Sequence, residues 1–423
     1  MQGETDLINT QIDVVNFLGW TKMRYAIGSL WLLATVITCS PCVIAAQAFE
    51  VRILETRVAK QEDEAAASRT ASSETRPLGK PQSLISRVAS ASSQFEAVSK
   101  HVGLGPAETQ DDTGPVVKQP VAKEIADLPK PITSFGAAII GDQVYAYGGH
   151  FGNAHEYSTE GQSDELIQLN LNEPGRWSVL SRGPKLQGLA MVTDGEKLYR
   201  LGGFTAKNQP GDKHDLWSQA QVASFDLESK QWSELPNLPE PRSSFDAVIL
   251  DHVIYVVGGW QMAGDADKRW HETSWSLDLS STPLVWKSLA KPPFKRRAVG
   301  AAAFAEKIYV IGGMEQKGEP TTSVAIYDPK KDVWAEGPAI PGEGLEGFGS
   351  AAFAQDGRLF VSTLGGNLLR LSEDGKTWEK AQKLETARFF HRMLPVGKQQ
   401  MVFFGGTNME IGKFDHVDLI DVR

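Results

Sequence analysis

IYVVGG at Ile254–Gly259 and IYVIGG at Ile308–Gly313 decide the fold. Each is a run of apolar β-formers with a tyrosine at its second place, closed by two glycines. The pattern returns as VYAYGG ending at Gly149, LYRLGG ending at Gly203 and, weaker, MVFFGG ending at Gly406. Between the last two clear copies and the final one lies RLFVST, from Arg358 to Thr363, which keeps the strand and loses the glycine pair. A second landmark keeps step: Trp177, Trp232, Trp286, Trp334 and Trp378 each fall downstream of one of these strands, before proline-rich turns such as SELPNLPEPR. A third strand ending in Asp precedes several of them, as in VASFDLESKQW and VAIYDPKKDVW. The unit therefore reads strand, strand with Gly-Gly, strand ending in Asp, strand opened by Trp. Six units recur at roughly 50 residues.

These landmarks resemble the kelch repeat, and the resemblance covers residues 121 to 423. It implies an all-β fold, a six-bladed kelch-type β-propeller. A four-stranded unit cannot bury both faces alone, so neighbours must stack around an axis. Glycine pairs allow close backbone approach near that axis. The Tyr and Trp side chains fill the wedges between blades. Ring closure is legible too. The chain stops at HVDLIDVR, a third strand of the sixth unit, while KEIADLPKPITSF ending at Phe135 aligns without a gap on SELPNLPEPRSSF ending at Phe245. Residues 121–126 are thus expected to supply the outer strand of the last blade, with Ala122 where the Trp would stand.

Upstream, Tyr25 to Ala48 is apolar and almost uncharged, is preceded by Lys22 and Arg24, and ends in Ala46-Gln47-Ala48, a small-x-small pattern a signal peptidase accepts. Residues 1–48 read as an N-terminal extension and signal peptide, with Met23 as the working start. The alternative is an uncleaved membrane tether through residues 25–48, since about 20 apolar residues span a bilayer. Either way the rest of the chain is expected outside the cytoplasm, periplasmic or secreted. Cys39 and Cys42, the two cysteines, lie within this segment and are read as incidental to it. Residues 49–120, rich in Ser, Ala, Glu, Thr, Pro and Gly, read as a disordered stalk.

The net charge of −9 excludes nucleic acid as a partner. Candidate ligand-binding residues lie on two sets of loops. The post-glycine loops of the first three units are long and gather His150, His155, Tyr157, His214, Trp217, Trp260, Trp270, His271 and Trp275. Exposed indoles beside His, Asp and Arg suit a sugar ring and its hydroxyls. The inter-blade turns bring Ser134, Gln187, Ser243, Ser244, Arg296, Arg297, His391 and Arg392 toward the axis, where an arginine pair can clamp a carboxylate. Arg242 belongs to the proline-arginine turn of the repeat itself. No motif for a metal or cofactor occurs, so none is expected. The chemistry of copper radical oxidases, which share this propeller type, needs a cysteine that the propeller lacks.

Three functions compete. The first is an exported binding module recognising a carbohydrate or a protein through loops on one rim. The second is a sugar-modifying enzyme resembling the exported N-acetylneuraminate mutarotases, also kelch propellers, with Glu156 or His391 as acid–base group and Arg297 facing a sugar carboxylate. The third is the intracellular adaptor role common among animal kelch proteins. No catalytic residue is assigned.

Overall fold

The computed structural model describes residues 125–423, and the expected export segment, tether and stalk lie outside them. Six antiparallel sheets follow one another along the chain. Blade 1 is built from Gly136–Ile140, Gln143–Tyr147, Glu165–Asn170 and Trp177–Arg182, paired in that order. Blade 2 uses Ala190–Thr193, Lys197–Leu201, Val222–Asp226 and Gln231–Leu235. Blades 3 and 4 begin at Asp246–Leu250 and Gly300–Phe304, and blade 5 at Ala351–Gln355. Blade 6 has three described strands, Arg392–Val396, Gln400–Phe404 and Val417–Asp421. The first strands touch in a closed cycle, the sixth returning to the first. This is the expected six-bladed propeller.

The core is divided accordingly. Its six apolar clusters each fall at one blade–blade interface; one joins Val144, Ala146 and Leu169 of blade 1 to Leu394, Val402 and Phe404 of blade 6. The tryptophans that open the outer strands add a directional link. Trp177, Trp286, Trp334 and Trp378 donate their indole N–H to Ala126, Pro236, Ala290 and Pro338 O at 3.0, 2.8, 2.8 and 2.7 Å, each on the preceding blade or its exit turn. Trp232 packs on Phe225 and Tyr147, but its buried Nε1 has no partner among the described residues.

The N-terminal end of the described chain meets the last blade. Leu128 N donates to Asp415 O at 2.7 Å, as Leu238 N does to Ala220 O at 2.8 Å within blade 2. Ile132 N to Phe414 O at 3.1 Å matches Arg242 N to Gln219 O at 3.0 Å. Residues 125–132 therefore occupy in blade 6 the place of the turn that follows the outer strand elsewhere. The expected strand at 121–126 falls mostly outside the described residues, and Ile125 and Ala126 are not in a strand.

The indole link is testable by comparing two tryptophans. Replacing Trp334 by Phe removes a hydrogen bond and keeps the ring, and lowers stability by about 1 kcal/mol. Trp232→Phe removes no hydrogen bond and costs less. Chemical denaturation of both variants measures the difference.

Candidate binding face

Both predicted loop sets lie on the same face of the ring. In blades 1, 2, 3 and 6 the residue three places before the first strand bridges to the residue that follows the glycine pair: Thr133 with His150, Gln187 with Phe204, Ser243 with Trp260 and Phe389 with Thr407. Between those residues and the strands sits one left-handed residue per blade, Ser134, Gly188, Ser244, Ala298, Gly349 and Phe390, with φ between 52° and 61°. Side chains other than glycine's are disfavoured there by roughly 1 kcal/mol or more. A circumferential chain of backbone bonds holds them. Gly188, Ser244, Ala298, Gly349 and Phe390 each donate N–H to the carbonyl of the equivalent residue one blade back, at 2.6, 2.8, 2.7, 3.2 and 2.9 Å. This ring frames the mouth of the central bore, a hollow of about 60 Å³.

The long loops of blades 1, 2 and 3 are tied into one wall. Gln162 of the first donates to Ala206 O at 2.8 Å and accepts from Ala206 N at 2.9 Å; Asn208 of the second donates to Tyr157 O at 2.7 Å. Ser218 N to Met262 O and Gly264 N to Leu216 O, at 2.9 and 3.0 Å, tie the second to the third. Blades 4 and 6 carry short hairpins instead, closed by Glu315 N to Glu319 O at 2.8 Å and by the pairing of Thr407–Asn408 with Gly412–Lys413. The face is therefore one-sided.

Within it, the predicted residues separate. Arg297 lies over Trp260, its guanidinium carbon 4.3 Å from the ring centroid, and 5.8 Å from Trp270, which meets Trp260 edge-on at 5.4 Å. Its hydrogen bond goes to the Met314 sulfur at 3.1 Å, and among the described residues its buried Nε has no partner and its guanidinium no ion pair. Burial pulls its pKa down, countered by Tyr157, whose own pKa is raised by burial and pulled back by Arg297. The two side chains thus share one half-buried environment. Tyr157 packs beside His150 and His214 at 5.0 and 5.5 Å, and His155 is exposed on the same loop.

The remaining candidates are engaged inside the scaffold. Arg296 donates from Nη1 to Gly312 O and Ser323 O at 2.9 and 2.6 Å. Arg242 does the same to Gly258 O and Thr273 O, and Arg388 to Gly405 O and His416 O. All three arginines serve as staples across the first glycine of a blade. His271 is buried against Pro241 O at 3.0 Å and the Glu240 carboxylate, and Trp275 also reaches Glu240. His150 is buried, with Nε2 3.1 Å from Glu156 O. His391 occupies the inter-blade place that Phe135 and Phe245 fill elsewhere, 3% exposed, with no partner for either ring nitrogen among the described residues. It is remote from the role of an acid–base group on the rim. Gln187 and Ser243 are buried in loop ties, to Gln162 and Ser218.

Arg392 has a different task. From the start of the blade 6 first strand it crosses the bore to Asp246 at the start of the blade 3 first strand, 3.3 Å from Nη1 to Oδ1. On the way it donates to Phe135 O and Leu189 O at 2.8 and 3.3 Å. Asp246 also accepts from Ala301 N at 3.0 Å, and burial raises its pKa. The other first positions are Gly136, Ala190, Gly300 and Ala351, which leave the crossing clear. Asp246 went unnoticed in the sequence, although aligning the six first strands puts the one acid and the one arginine three blades apart. Among the described residues no His, Cys, Asp and Glu cluster fit for a metal occurs.

The blade order, the glycine pairs and the ring closure define a kelch-type β-propeller. A family model described as the KLHDC2/KLHL20/DRC7 Kelch-repeats domain matches residues 188–406, and the chain belongs to the kelch-repeat family. It is 27% identical over 47% of its length to the Kelch repeat and BTB domain-containing protein 12 of Danio rerio, covering 33% of that protein. It is 23% identical over 56% of its length to the Kelch-like protein terF of Aspergillus terreus, covering 50% of it. The chain thus spans a third to a half of these relatives. The solved structure of YjhT superposes with a TM-score of 0.57 at 16% identity, over 71% of this chain and 97% of that one, a likeness of fold. Kelch propellers are typically protein-binding modules.

The buried histidines set a pH dependence. Burial, then Lys413, lowers the His150 pKa from 6.5 to about 4; burial, then the nearby arginines, lowers those of His271 and His391. A histidine with a depressed folded-state pKa takes up protons more readily when the chain unfolds. Its contribution is complete above the unfolded value and is lost as pH falls from about 6.5 toward 4. Melting temperature is expected to drop over that window. His391→Phe, which restores the side chain of the equivalent places in blades 1 and 3, is expected to flatten the drop and add about 1 kcal/mol. Thermal scans at stepped pH check both.

Proposed function

We propose that the protein is an exported binding module at the cell envelope that receives a carboxylate-bearing partner, carbohydrate or protein, on its loop face. One observation carries this reading: Arg297 is half-buried, lies over Trp260 and has no carboxylate partner among the described residues. An arginine withdrawn from water is costly unless its donors are satisfied, and a ligand carboxylate supplies the planar acceptor that fits them. Trp260, Trp270 and Tyr157 offer flat apolar surface beside that charge. The kelch family supports binding as the role. The export reading rests on the apolar segment at 25–48.

The test is a thermal-shift and titration screen of the full chain against sialic acid, uronic acids, neutral sugars and acidic peptides. A ligand at a hundred times its dissociation constant raises stability by about 2.7 kcal/mol. Arg297→Ala and Trp260→Ala are expected to abolish the shift with the unliganded melting temperature kept. Arg242→Ala strips a buried staple and is expected to cost about 3 kcal/mol of stability. Binding of the sugar acids or acidic peptides that survives Arg297→Ala, or the lack of a shift with any acidic ligand of the panel, would overturn the carboxylate reading.

A further inference from the structure

The bore has a second compartment on the far side of the Asp246–Arg392 pair. It has a volume of about 250 Å³ and runs from that pair along the first strands toward the hairpins of the opposite face, past Ala303, Phe353 and Ala354. Two kinds of group wall it. One is the small apolar side chain, chiefly alanine: GAAII, GAAAF and AAFAQ are three of the six first strands. The other is backbone. Each first strand is hydrogen-bonded to its own sheet on one side only, so its free edge turns to the axis. The closed end shows this directly, since Ala301 N–H reaches Asp246 there and the Phe135 and Leu189 carbonyls accept from Arg392. Near the other end Gln355 donates to Val396 O. Between these two levels no side chain among the described residues hydrogen-bonds the edges, so their N–H and C=O groups are open to whatever fills the bore.

We infer that this compartment is a binding site for a small uncharged polyol, of the size of a cyclitol or a monosaccharide. Such a molecule matches the wall, because its C–H faces meet alanine methyls while its hydroxyls both donate to and accept from the strand edges. Net charge is disfavoured, since the carboxylate and guanidinium at the closed end already neutralise each other and the apolar wall offers no further counter-ion. The volume lies below the usual range for drug-sized ligands, which excludes an oligosaccharide or a folded peptide. The site opens away from the loop face and stands whether or not Arg297 binds a carboxylate.

The experiment is titration of the full chain with myo-inositol and with glucose, followed by ligand-observed NMR and calorimetry, with glucuronate and hexylamine as charged controls. Saturable binding of the neutral polyols at millimolar concentration or tighter is expected, with the charged pair weaker by about tenfold. Ala303→Leu and Ala354→Leu, at half-buried places on the bore wall, are each expected to weaken binding at least tenfold, with an unchanged melting temperature showing that the ring is intact. Arg297→Ala is expected to leave it unchanged. Absence of saturable binding in the wild-type chain means that the compartment holds water alone, and overturns the inference. So does binding that survives both leucine variants, or that disappears with Arg297→Ala and therefore belongs to the loop face.

Discussion

Near the axis of a ring of six sheets, backbones must come closer than side chains permit, and the rest of this structure is arranged around that constraint. The second glycine of each pair donates its N–H to the turn entering the next blade: Gly149 to Leu186 O, Gly203 to Arg242 O, Gly259 to Arg296 O, Gly313 to Gly347 O and Gly406 to Ile132 O, all at 2.7–2.9 Å. At Gly312 a Cβ would stand 2.1 Å from Gly347 O, and the φ of 59° is one that glycine adopts without strain. The bond that joins the blades and the space that lets them join thus come from the same two residues.

Arginine completes the joint in three blades. The carbonyls of Arg242 and Arg296 accept from the glycine of one blade while their side chains reach the glycine carbonyl of the next. A guanidinium has enough donors to satisfy several carbonyls at once, which lysine cannot do in a fixed plane. Blade 5 departs from the scheme. Thr363 and Leu364 stand where the glycines would be, Gly347 takes the arginine's place, and the Glu346 carboxylate accepts from the Thr363 hydroxyl. The wedge facing blade 5 then holds His391 rather than a phenylalanine, so loss of the glycine pair and the polar wedge fall at one interface.

The repeat was legible because glycine pairs and tryptophans are spaced by backbone geometry that loops do not alter. The site was legible only in part. Arg296 and Arg297 are neighbours in sequence and alternate in direction along a short strand, so one is sealed into the scaffold and the other lies on Trp260. Nothing in the residue types distinguishes them; the comparison with Arg242 and Arg388, which occupy the same repeat position as Arg296, does. His150, His271 and His391 were attractive as polar groups in loops, and tertiary packing buried them. Asp246 escaped notice because its partner lies across the ring rather than along the chain. Residue identity reports chemistry, but in a closed ring the partner is set by the blade count.

The left-handed residues at the mouth carry one more consequence. Their backbone bonds point the same way around the axis, each peptide dipole leading into the next. In a helix such a chain ends in exposed amides at one terminus and exposed carbonyls at the other, and acquires partial charges there. Bent into a circle, the same chain has almost no ends and its dipoles cancel. Five of the six steps are made among the described residues, and the break falls at the blade 6 to blade 1 seam, between Phe390 and Ser134. The mouth is therefore electrically quiet except where side chains intrude, and the field a visitor meets there is set by Arg297 and the Asp246–Arg392 pair rather than by the fold itself.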